Sequence, residues 1–290
     1  MAHELKKTAH NTPGEFYVDS TCINCKTCNH LAPSLFHNTG WTSYVAHQPE
    51  TSEAFRLAAH ALLACPTGSI GTLHPHSFSN FQKEFPLLIA PPVFYCGFNS
   101  PKSYGGHSYF IQSEQGNWLV DSPRYLPQLV RQFELLGGLH YIFLTHQDDV
   151  ADAALYARYF SAQRIIHQFD QTAQRDADIL ILDDKPIEFK PGFQIIPTPG
   201  HTRGHCVLLY QNQFLFTGDH FWWNAEHHRL EASSAVAWYS WEKQIESIQR
   251  LVAWDFEWIL PGHGQRLHLP SPSLHQAMEK FSQTLASQLP

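Results

Sequence analysis

Four cysteines have the type and spacing of ligands for an iron–sulfur cluster. Three of them form a CxxCxxC run, and the fourth lies far along the chain and is followed directly by proline. They are Cys22, Cys25, Cys28 and Cys65. The run places three thiolates on one tight turn, and thiolates are the ligands that iron–sulfide cores require. The spacing therefore predicts a cluster site.

Two alternatives to a 4Fe-4S cluster remain open at this point. Four cysteines in two groups can also bind a structural zinc ion tetrahedrally. Zinc sites usually use paired CxxC motifs, so a triple run with a distant Cys-Pro favours iron and sulfide. A 3Fe-4S form in the presence of oxygen is the second alternative, although the presence of all four cysteines favours 4Fe-4S.

The stretch from Glu15 to Thr72, which includes APSLF and ACPTGSI, resembles single-cluster bacterial ferredoxins. In two-cluster bacterial ferredoxins the cysteine run continues to a fourth Cys-Pro that serves the other cluster. Here that position is Ala32, followed by Pro33. The resemblance implies an α+β ferredoxin-like domain with one 4Fe-4S cluster, for which Cys65 completes the ligand set.

A second set of possible metal ligands follows apolar, strand-like runs. Loops held by a rigid sheet are where metal and catalytic groups are normally mounted. Each of four short motifs places a histidine or an aspartate at such a strand end. The motifs are Leu144-Thr145-His146-Gln147-Asp148, Pro199-Gly200-His201-Thr202, Thr217-Gly218-Asp219 and Pro261-Gly262-His263-Gly264.

Four such motifs in this order resemble the metallo-β-lactamase superfamily over about residues 93–290. The resemblance implies that superfamily's αβ/βα sandwich. It also implies a set of metal ligands, among which an aspartate occupies the place of the bridging carboxylate. These ligands are His146, His201, Asp219 and His263.

The chain departs from the superfamily's THxHxDH stretch. Asp148 replaces the second histidine, Val150 the aspartate and Ala151 the last histidine. The second metal position then keeps only Asp219 and His263, and two ligands rarely hold a metal. We therefore expect at most one firmly bound metal. Without the aspartate that orients the attacking water, hydrolysis by the usual two-metal route is in doubt.

The first metal position keeps a complete ligand set. His146, Asp148 and His201 supply two histidines and a carboxylate, with Asp219 in reach. Catalytic metals usually have three protein ligands and an open position. Two histidines and one carboxylate are typical of non-haem iron, and zinc accepts the same ligands. We expect one mononuclear iron or zinc ion here, and no catalytic side chain is assigned.

Other polar and aromatic side chains have less specific interpretations. His205 and His220 either support the metal ligands, replace a missing one or pack in the core. Asp149 and Asp152 are expected to cap the helix that follows the loop. Four tryptophans line a substrate pocket or a route toward the cluster, or are simply core. They are Trp222, Trp223, Trp238 and Trp241.

The elements that position these side chains fall into two predicted domains. A ferredoxin domain over residues 1–72 is followed by a linker over 73–92 and by the second domain over 93–290. Residues 54–62 have helical apolar spacing and should deliver Cys65, and residues 274–285 predict a packed terminal helix. From residue 93, apolar strand-like runs alternate with amphipathic segments of helix length, which favours an α/β domain. Apolar residues in the linker, among them Phe78, Phe81 and Phe85, favour packed rather than loosely tethered domains.

Composition narrows the choice of partners. The hydrophobic fraction of 43% and the charged fraction of 16% are typical of a globular protein with a substantial core. A net charge of −7 gives no basic field for nucleic acid or an anionic membrane. The sequence has no apolar run of signal or membrane-spanning length, and Cys96 and Cys206 are expected to be free thiols. We expect a cytoplasmic protein.

Three functions fit these features. The first is a redox-linked metalloenzyme, in which the ferredoxin module serves a mononuclear site and the partner is a small-molecule substrate or a redox partner protein. The second is a metal-dependent hydrolase of thioester, lactone or phosphoester bonds with a structural or regulatory cluster. The third is a non-catalytic electron carrier or redox sensor with a degenerate second domain.

Overall fold

The computed structural model describes residues 2–287, which divide into two compact units. Unit 1 contains the chain up to Gln112 together with Ser122–Gly138. Unit 2 contains Ser113–Asp121 and the chain from Leu139 onward. This division does not follow the boundaries inferred from the sequence, which stay a prediction.

Helices and short strands alternate along the chain. The helices are α1 Thr27–Leu31, α2 Ser52–Ala64, α3 Ser79–Gln82, α4 Pro127–Leu135, α5 Ala153–Phe160, α6 Trp241–Leu251 and α7 Ser271–Ala286. The strands are β1 Phe16–Val18, β2 Phe36–Asn38, β3 Ser43–Val45, β4 Ile70–Thr72, β5 Leu87–Ala90, β6 Val93–Tyr95, β7 Tyr109–Ile111, β8 Trp118–Val120, β9 Tyr141–Phe143, β10 Gln163–His167, β11 Ile179–Ile181, β12 Ile187–Lys190, β13 Phe193–Pro197, β14 Cys206–Tyr210, β15 Phe214–Gly218, β16 Trp222–Asn224, β17 Arg229–Glu231, β18 Trp258–Pro261 and β19 Leu267–His268. Between residues 2 and 287, no helix is both long and apolar enough to cross a bilayer.

The cysteine-containing region of unit 1 is built from two strand pairs and two helices. Strand β1 pairs antiparallel with β4, and β2 pairs antiparallel with β3. Helix α2 begins after Thr51, whose hydroxyl accepts a hydrogen bond from the Ala54 amide at 3.1 Å. The helix ends at Cys65, as predicted, because Pro66 cannot continue it.

The segment predicted as a linker contains regular structure and is packed. It forms α3 and β5, and β5 pairs antiparallel with β6. The Phe85 ring lies 5.2 Å from the His60 ring on α2 and 4.9 Å from Phe98. Glu84 accepts hydrogen bonds from Arg56 and His60 of α2, each at 2.7 Å. The segment therefore packs against α2 within unit 1, and the expectation that it packs the two domains together stays a prediction.

Unit 2 contains two sheets with an apolar layer between them. Strands β8 to β11 form a parallel arrangement, whereas β12 to β15 are antiparallel neighbours and β18 runs parallel to β15. The Trp118 ring from the first sheet stacks on Phe193 of the second at 4.3 Å. The strand-like runs identified in the sequence correspond to strands in the structure.

Helices α6 and α7 cover the outer face of the antiparallel sheet. Their apolar residues pack with Val207, Leu209 and Leu215 of the central strands in one buried cluster. Helix α7 buries the predicted terminal-helix residues. They are Leu274, Met278, Phe281 and Leu285. Burial of this face anchors the strands whose ends carry the histidine and aspartate motifs.

Candidate metal centres

The CxxCxxC run adopts the local backbone that a cluster needs. Asn24 and Lys26 have positive φ values of 62° and 61°. These left-handed residues wind the chain tightly between the cysteines. Cys28 is buried, and Cys22 and Cys25 are partly exposed. This winding brings sequence neighbours together on one turn.

The position of the missing second-cluster ligand is part of the apolar core. Ala32 is fully buried, and its carbonyl accepts a hydrogen bond from the Phe36 amide at 3.0 Å. It packs in one cluster with Cys28, Cys65 and Ile70. A methyl group in this core offers no ligand, so the structure agrees with a single cluster.

The cysteine sulfurs have surroundings that suit thiolates bound to iron. The Ser43 amide donates to Cys22 Sγ at 3.5 Å, and the Ser69 amide donates to Cys65 Sγ at 3.3 Å. Burial raises the pKa of the Cys25 thiol to about 11 and that of Cys28 further. Deprotonating such thiols requires a nearby cation, so the residues fit a cationic iron–sulfide core.

The histidine and aspartate motifs converge on one carboxylate. Asp219 Oδ2 lies 3.8 Å from His146 Nε2, 3.9 Å from His201 Nε2 and 3.7 Å from His263 Nε2. Asp148 Oδ2 lies 3.4 Å from His201 Nε2. The five side chains named as metal ligands are thus brought together. Their polar atoms are close enough to share one or two cations.

A hydrogen-bonded chain orients His146. The Asp121 carboxylate, at the end of β8, accepts hydrogen bonds from the Thr145 amide at 2.9 Å and the Thr145 hydroxyl at 3.0 Å. His146 Nδ1 lies 2.9 Å from the same hydroxyl oxygen. Because the Thr145 hydroxyl donates its hydrogen bond to Asp121, its oxygen accepts a hydrogen bond from His146 Nδ1–H. His146 Nε2 then has a free lone pair for a metal. Burial lowers the pKa of His146 to about 4, so the ring is neutral.

His201 is oriented by a different partner. Its Nδ1 hydrogen-bonds to the Val236 carbonyl oxygen. Because a carbonyl only accepts, Nδ1 carries the proton and Nε2 again faces the site as a lone-pair donor. Hydrogen bonding to this histidine lowers the pKa of Asp148, which is therefore ionised near neutral pH. Without a metal, burial of His201 is outweighed by the hydrogen bond to Asp148 and the charge of Asp219, which raise the pKa of His201. A bound cation would displace the proton from Nε2, and two imidazoles and an ionised carboxylate would then be a donor set for iron or zinc.

Unsatisfied buried atoms test whether a metal fits this site. At this site, four buried side-chain atoms have no hydrogen-bond partner among residues 2–287. They are His146 Nε2, His201 Nε2, Asp219 Oδ1 and Asp149 Oδ2. Leaving a buried polar atom unsatisfied costs about 1–3 kcal/mol. A divalent cation would satisfy several of them together, so the residues present fit a metal.

Asp149 belongs to this cluster, which sequence reasoning missed. It is 2% exposed, and its carboxylate groups with His146 and Asp219 as a possible metal-binding set. Burial raises the pKa of Asp149, and the charges of Asp219 and Asp121 raise it further. The helix-capping role expected for Asp149 is wrong, because the residue lies before α5. Asp152 takes the N-cap position, but its side chain makes no capping hydrogen bond to α5.

Asp149 and Asp219 border a space that is open because residue 262 is a glycine. A Cβ atom on Gly262 would lie 2.7 Å from Asp219 Oδ1 and 2.9 Å from Asp149 Oδ2. Both oxygens thus border the same small volume beside the loop that carries His263. The only sequence signal was a second acidic residue directly after Asp148, since the superfamily motif assigns no ligand at this position.

His205 and His220 form a separate buried pair. Their rings stack at 5.1 Å, and His205 Nδ1 is hydrogen-bonded to Thr198 Oγ1 at 2.8 Å. Burial lowers the pKa of both rings, that of His220 to about 3. Neither belongs to the two sets of possible ligands found among the described residues. The centre of the His205 ring lies 5.3 Å from the centre of the His146 ring, so His205 is a neighbour of that ligand.

A further aspartate that no motif identified ties two ligand-bearing loops together. Asp170 accepts hydrogen bonds from the Gln147 amide at 3.1 Å and the Gly204 amide at 2.9 Å. The Thr202 hydroxyl also donates to it. These bonds connect the loop of His146 to the loop of His201. Asp170 lies in a short 3-10 helix, Gln168–Ala173, that follows β10, where sequence spacing gives no signal.

Three of the four tryptophans have different surroundings. Trp223 and Trp241 pack against the core of the antiparallel sheet. Trp238 is 65% exposed, and its ring centre lies 6.2 Å from that of His201. Trp238 is therefore placed beside the metal ligands, whereas Trp223 and Trp241 have the structural role.

Comparison with known proteins agrees with both halves of this description. Residues 18–72 match the family described as the 4Fe-4S single cluster domain of Ferredoxin I. The structure is similar to that of VMB-1, with a TM-score of 0.51 and 15% identity over 69% of this chain and 96% of that chain. It is similarly close to the DIM-1 metallo-β-lactamase, with a TM-score of 0.51 and 13% identity over 68% and 95%. None of the curated proteins matches the chain.

The structural likenesses show the fold, and the matched family model supports a 4Fe-4S site. The α+β ferredoxin-like domain and the αβ/βα sandwich expected from the sequence are confirmed. Residues 18–72 of the chain therefore match a single-cluster 4Fe-4S ferredoxin domain, and the chain also contains a domain with the metallo-β-lactamase fold.

Proposed function

We propose that the protein is a redox-linked metalloenzyme, in which the 4Fe-4S domain exchanges single electrons with a metal held by His146, Asp148, His201 and Asp219. A redox partner protein restores the electron that the cluster gives up, and the substrate is a small molecule. An electron that leaves the cluster would reduce the bound metal by one electron, and the small-molecule substrate would then accept that electron. We place the reaction in the cytoplasm.

The observation that carries this proposal is that the same chain contains this ligand set and a one-electron module. The two oriented imidazoles and the ionised Asp148 match the two-histidine, one-carboxylate set of non-haem iron sites. When bound, an iron ion would supply a one-electron acceptor with open positions for a small molecule. Asp148 is 47% exposed in its side chain, so the set can be reached from solvent.

The test is a redox titration of the full chain purified without oxygen. Metal and sulfide analysis should give about four iron and four sulfide per chain for the cluster, with one additional iron. Stepwise reduction followed by electron paramagnetic resonance should show the spectrum of the additional iron changing as the cluster is reduced. His201→Ala should abolish this response and leave the cluster spectrum intact.

The matched control is His268→Ala, because His268 lies on β19 and is not among the possible metal ligands. Zinc in place of the additional iron contradicts the redox proposal. So does an iron spectrum that stays unchanged throughout the reduction of the cluster. A chain that holds no metal besides the cluster indicates the non-catalytic electron carrier or redox sensor.

A metal-dependent hydrolase is the second candidate, and Asp149 is the observation that favours it. The sequence left the second metal position with Asp219 and His263 only. Asp149 adds a buried carboxylate with an unsatisfied oxygen beside Asp219 Oδ1. Three side chains can hold a catalytic metal, and two metals can act together in hydrolysis. Two zinc ions per chain, with turnover of a thioester, lactone or phosphoester, would support this candidate over the first.

A further inference from the structure

A short segment outside the matched ferredoxin domain lies directly against a cluster cysteine. Gly105 has a φ of +87°. A Cβ atom on Gly105 would lie 2.9 Å from Cys25 Cβ, 3.1 Å from Cys25 Sγ and 3.0 Å from Cγ of Pro66. These separations are well inside normal contact between non-bonded carbon and sulfur atoms. The backbone of Gly105 therefore lies so close to Cys25 and Pro66 that only a residue without a side chain fits there.

A buried polar network holds this segment in place. Asn99 is fully buried and donates through Nδ2 to the Gly105 carbonyl at 2.7 Å and to Thr27 Oγ1 at 3.1 Å. The Tyr95 hydroxyl donates to Asn99 Oδ1 at 2.8 Å. Thr27 lies between two cluster cysteines in sequence, and its Oγ1 is 3.4 Å from Cys25 Sγ. Asn99 thus connects the covering segment to the cysteine turn itself.

A second contact fixes the outer edge of the same segment. Tyr104 is 59% exposed, yet its hydroxyl donates to the carbonyl of Ile23, between Cys22 and Cys25. All of these residues belong to unit 1. The cysteine turn is therefore held by residues 95–105 from both its buried and its exposed side.

We infer that residues 99–105 are part of the cluster-binding site, in which they exclude water from the Cys25 side and help to set the reduction potential. The inference rests on the presence of the cluster and not on its redox coupling to a second metal. The residues lie beyond the segment 18–72 that matches the ferredoxin family. The ligand that they cover is a cubane of iron and sulfide.

The sign of the effect follows from charge and solvation. A reduced cluster carries one more negative charge than an oxidised one, and water stabilises the more highly charged form better than protein does. Excluding water on the Cys25 side therefore lowers the reduction potential. It also slows the attack of oxygen and chelators on the iron.

Gly105→Ala in the full chain tests the inference, with Gly40→Ala as the matched control. Gly40 also has a positive φ, +94°, but no other atom lies within 4 Å of its Cβ position. Both changes impose the same backbone strain, and only that at position 105 pushes against Cys25. We measure cluster loss to a ferrous chelator from its visible absorbance. The potential is measured by a dithionite titration followed by electron paramagnetic resonance.

Gly105→Ala should lose its cluster severalfold faster than Gly40→Ala and should have a higher reduction potential. Tyr104→Phe removes only the hydroxyl contact to Ile23 and keeps the fold, so it tests the same inference should Gly105→Ala fail to fold. It should shift both measurements in the same direction by less. Equal rates and equal potentials for Gly105→Ala and Gly40→Ala would overturn the inference. If Gly105→Ala does not fold, wild-type behaviour of Tyr104→Phe in both measurements would do so.

Discussion

The two candidate metal centres are built in opposite ways. Three of the four cluster cysteines lie on one tight turn, and α2 supplies the fourth from its end. The ligands around Asp219 come instead from separate loops at the ends of β9, β13, β15 and β18. A local site depends on the backbone of a few residues, whereas a distributed site depends on the packing of whole sheets.

This difference indicates at which kind of site one ligand residue can be replaced by another from a different position. If a cysteine is lost from the turn, no other cysteine lies nearby in sequence to replace it. In the distributed site, Val150 and Ala151 replace ligands, yet the buried carboxylate of Asp149 comes close to Asp219 from a position with no such role in the motif. Loops that converge in space offer many side chains for one ion, so ligand positions there can be exchanged.

The largest effect should come from breaking the local site. Cys65→Ser should remove most of the cluster's visible absorbance and most of its iron and sulfide, because a cubane cluster needs four thiolates. Cys96→Ser and Cys206→Ser are the controls, since both cysteines are buried free thiols outside the turn. Full absorbance in the Cys65→Ser protein would show that another residue provides the fourth ligand.

In the distributed site, the loss of one carboxylate should have a graded effect. We expect wild-type protein to bind one zinc ion firmly and a second one weakly in equilibrium dialysis. Asp149→Asn should lose the weak ion, because an amide is a poor ligand and carries no charge. Asp152→Asn, three residues further along, should bind zinc as wild type does. Equal binding by all three proteins would remove Asp149 from the site.

The acidic residues should make the metal-free protein sensitive to pH. Burial raises the pKa of Asp121 from 3.8 to about 8. Between these values the folded state holds a proton that the unfolded state has lost, so the free energy of unfolding falls as the pH rises from 3.8 to about 8. In Asp121→Asn this contribution is absent.

Thermal unfolding after metal removal by a chelator, from pH 5 to pH 8, measures this contribution. The melting temperature of wild type should decline more steeply with pH than that of Asp121→Asn. Parallel pH profiles would show that Asp121 does not hold a proton in the folded state.

The smallest effect should come from a charge near the cluster. Arg124 Nη2 lies 3.4 Å from the carbonyl oxygens of Leu63 and Cys65. A positive charge favours the reduced cluster, so Arg124→Gln should lower the reduction potential, by on the order of tens of millivolts. Arg131→Gln, an exposed arginine on α4, should leave the potential unchanged. A rise in potential for Arg124→Gln would contradict this electrostatic role.

The sequence alone predicted the cluster cysteines, the two folds and the convergence of four motifs. It could do so because these features depend on local spacing and on the order of apolar runs. Helix α2 and its end at Cys65 followed from apolar periodicity and a proline. The packed terminal helix followed from the same periodicity.

Only the tertiary structure decided which other side chains reach these sites. Asp149 looked like a helix cap because sequence records its distance from α5 and not its distance from Asp219. Asp170 and Gly105 gave no signal, since their partners lie far along the chain or in another motif. Local spacing fixes which ligands can share a turn, whereas the packing of sheets and loops fixes which distant atoms share a buried volume.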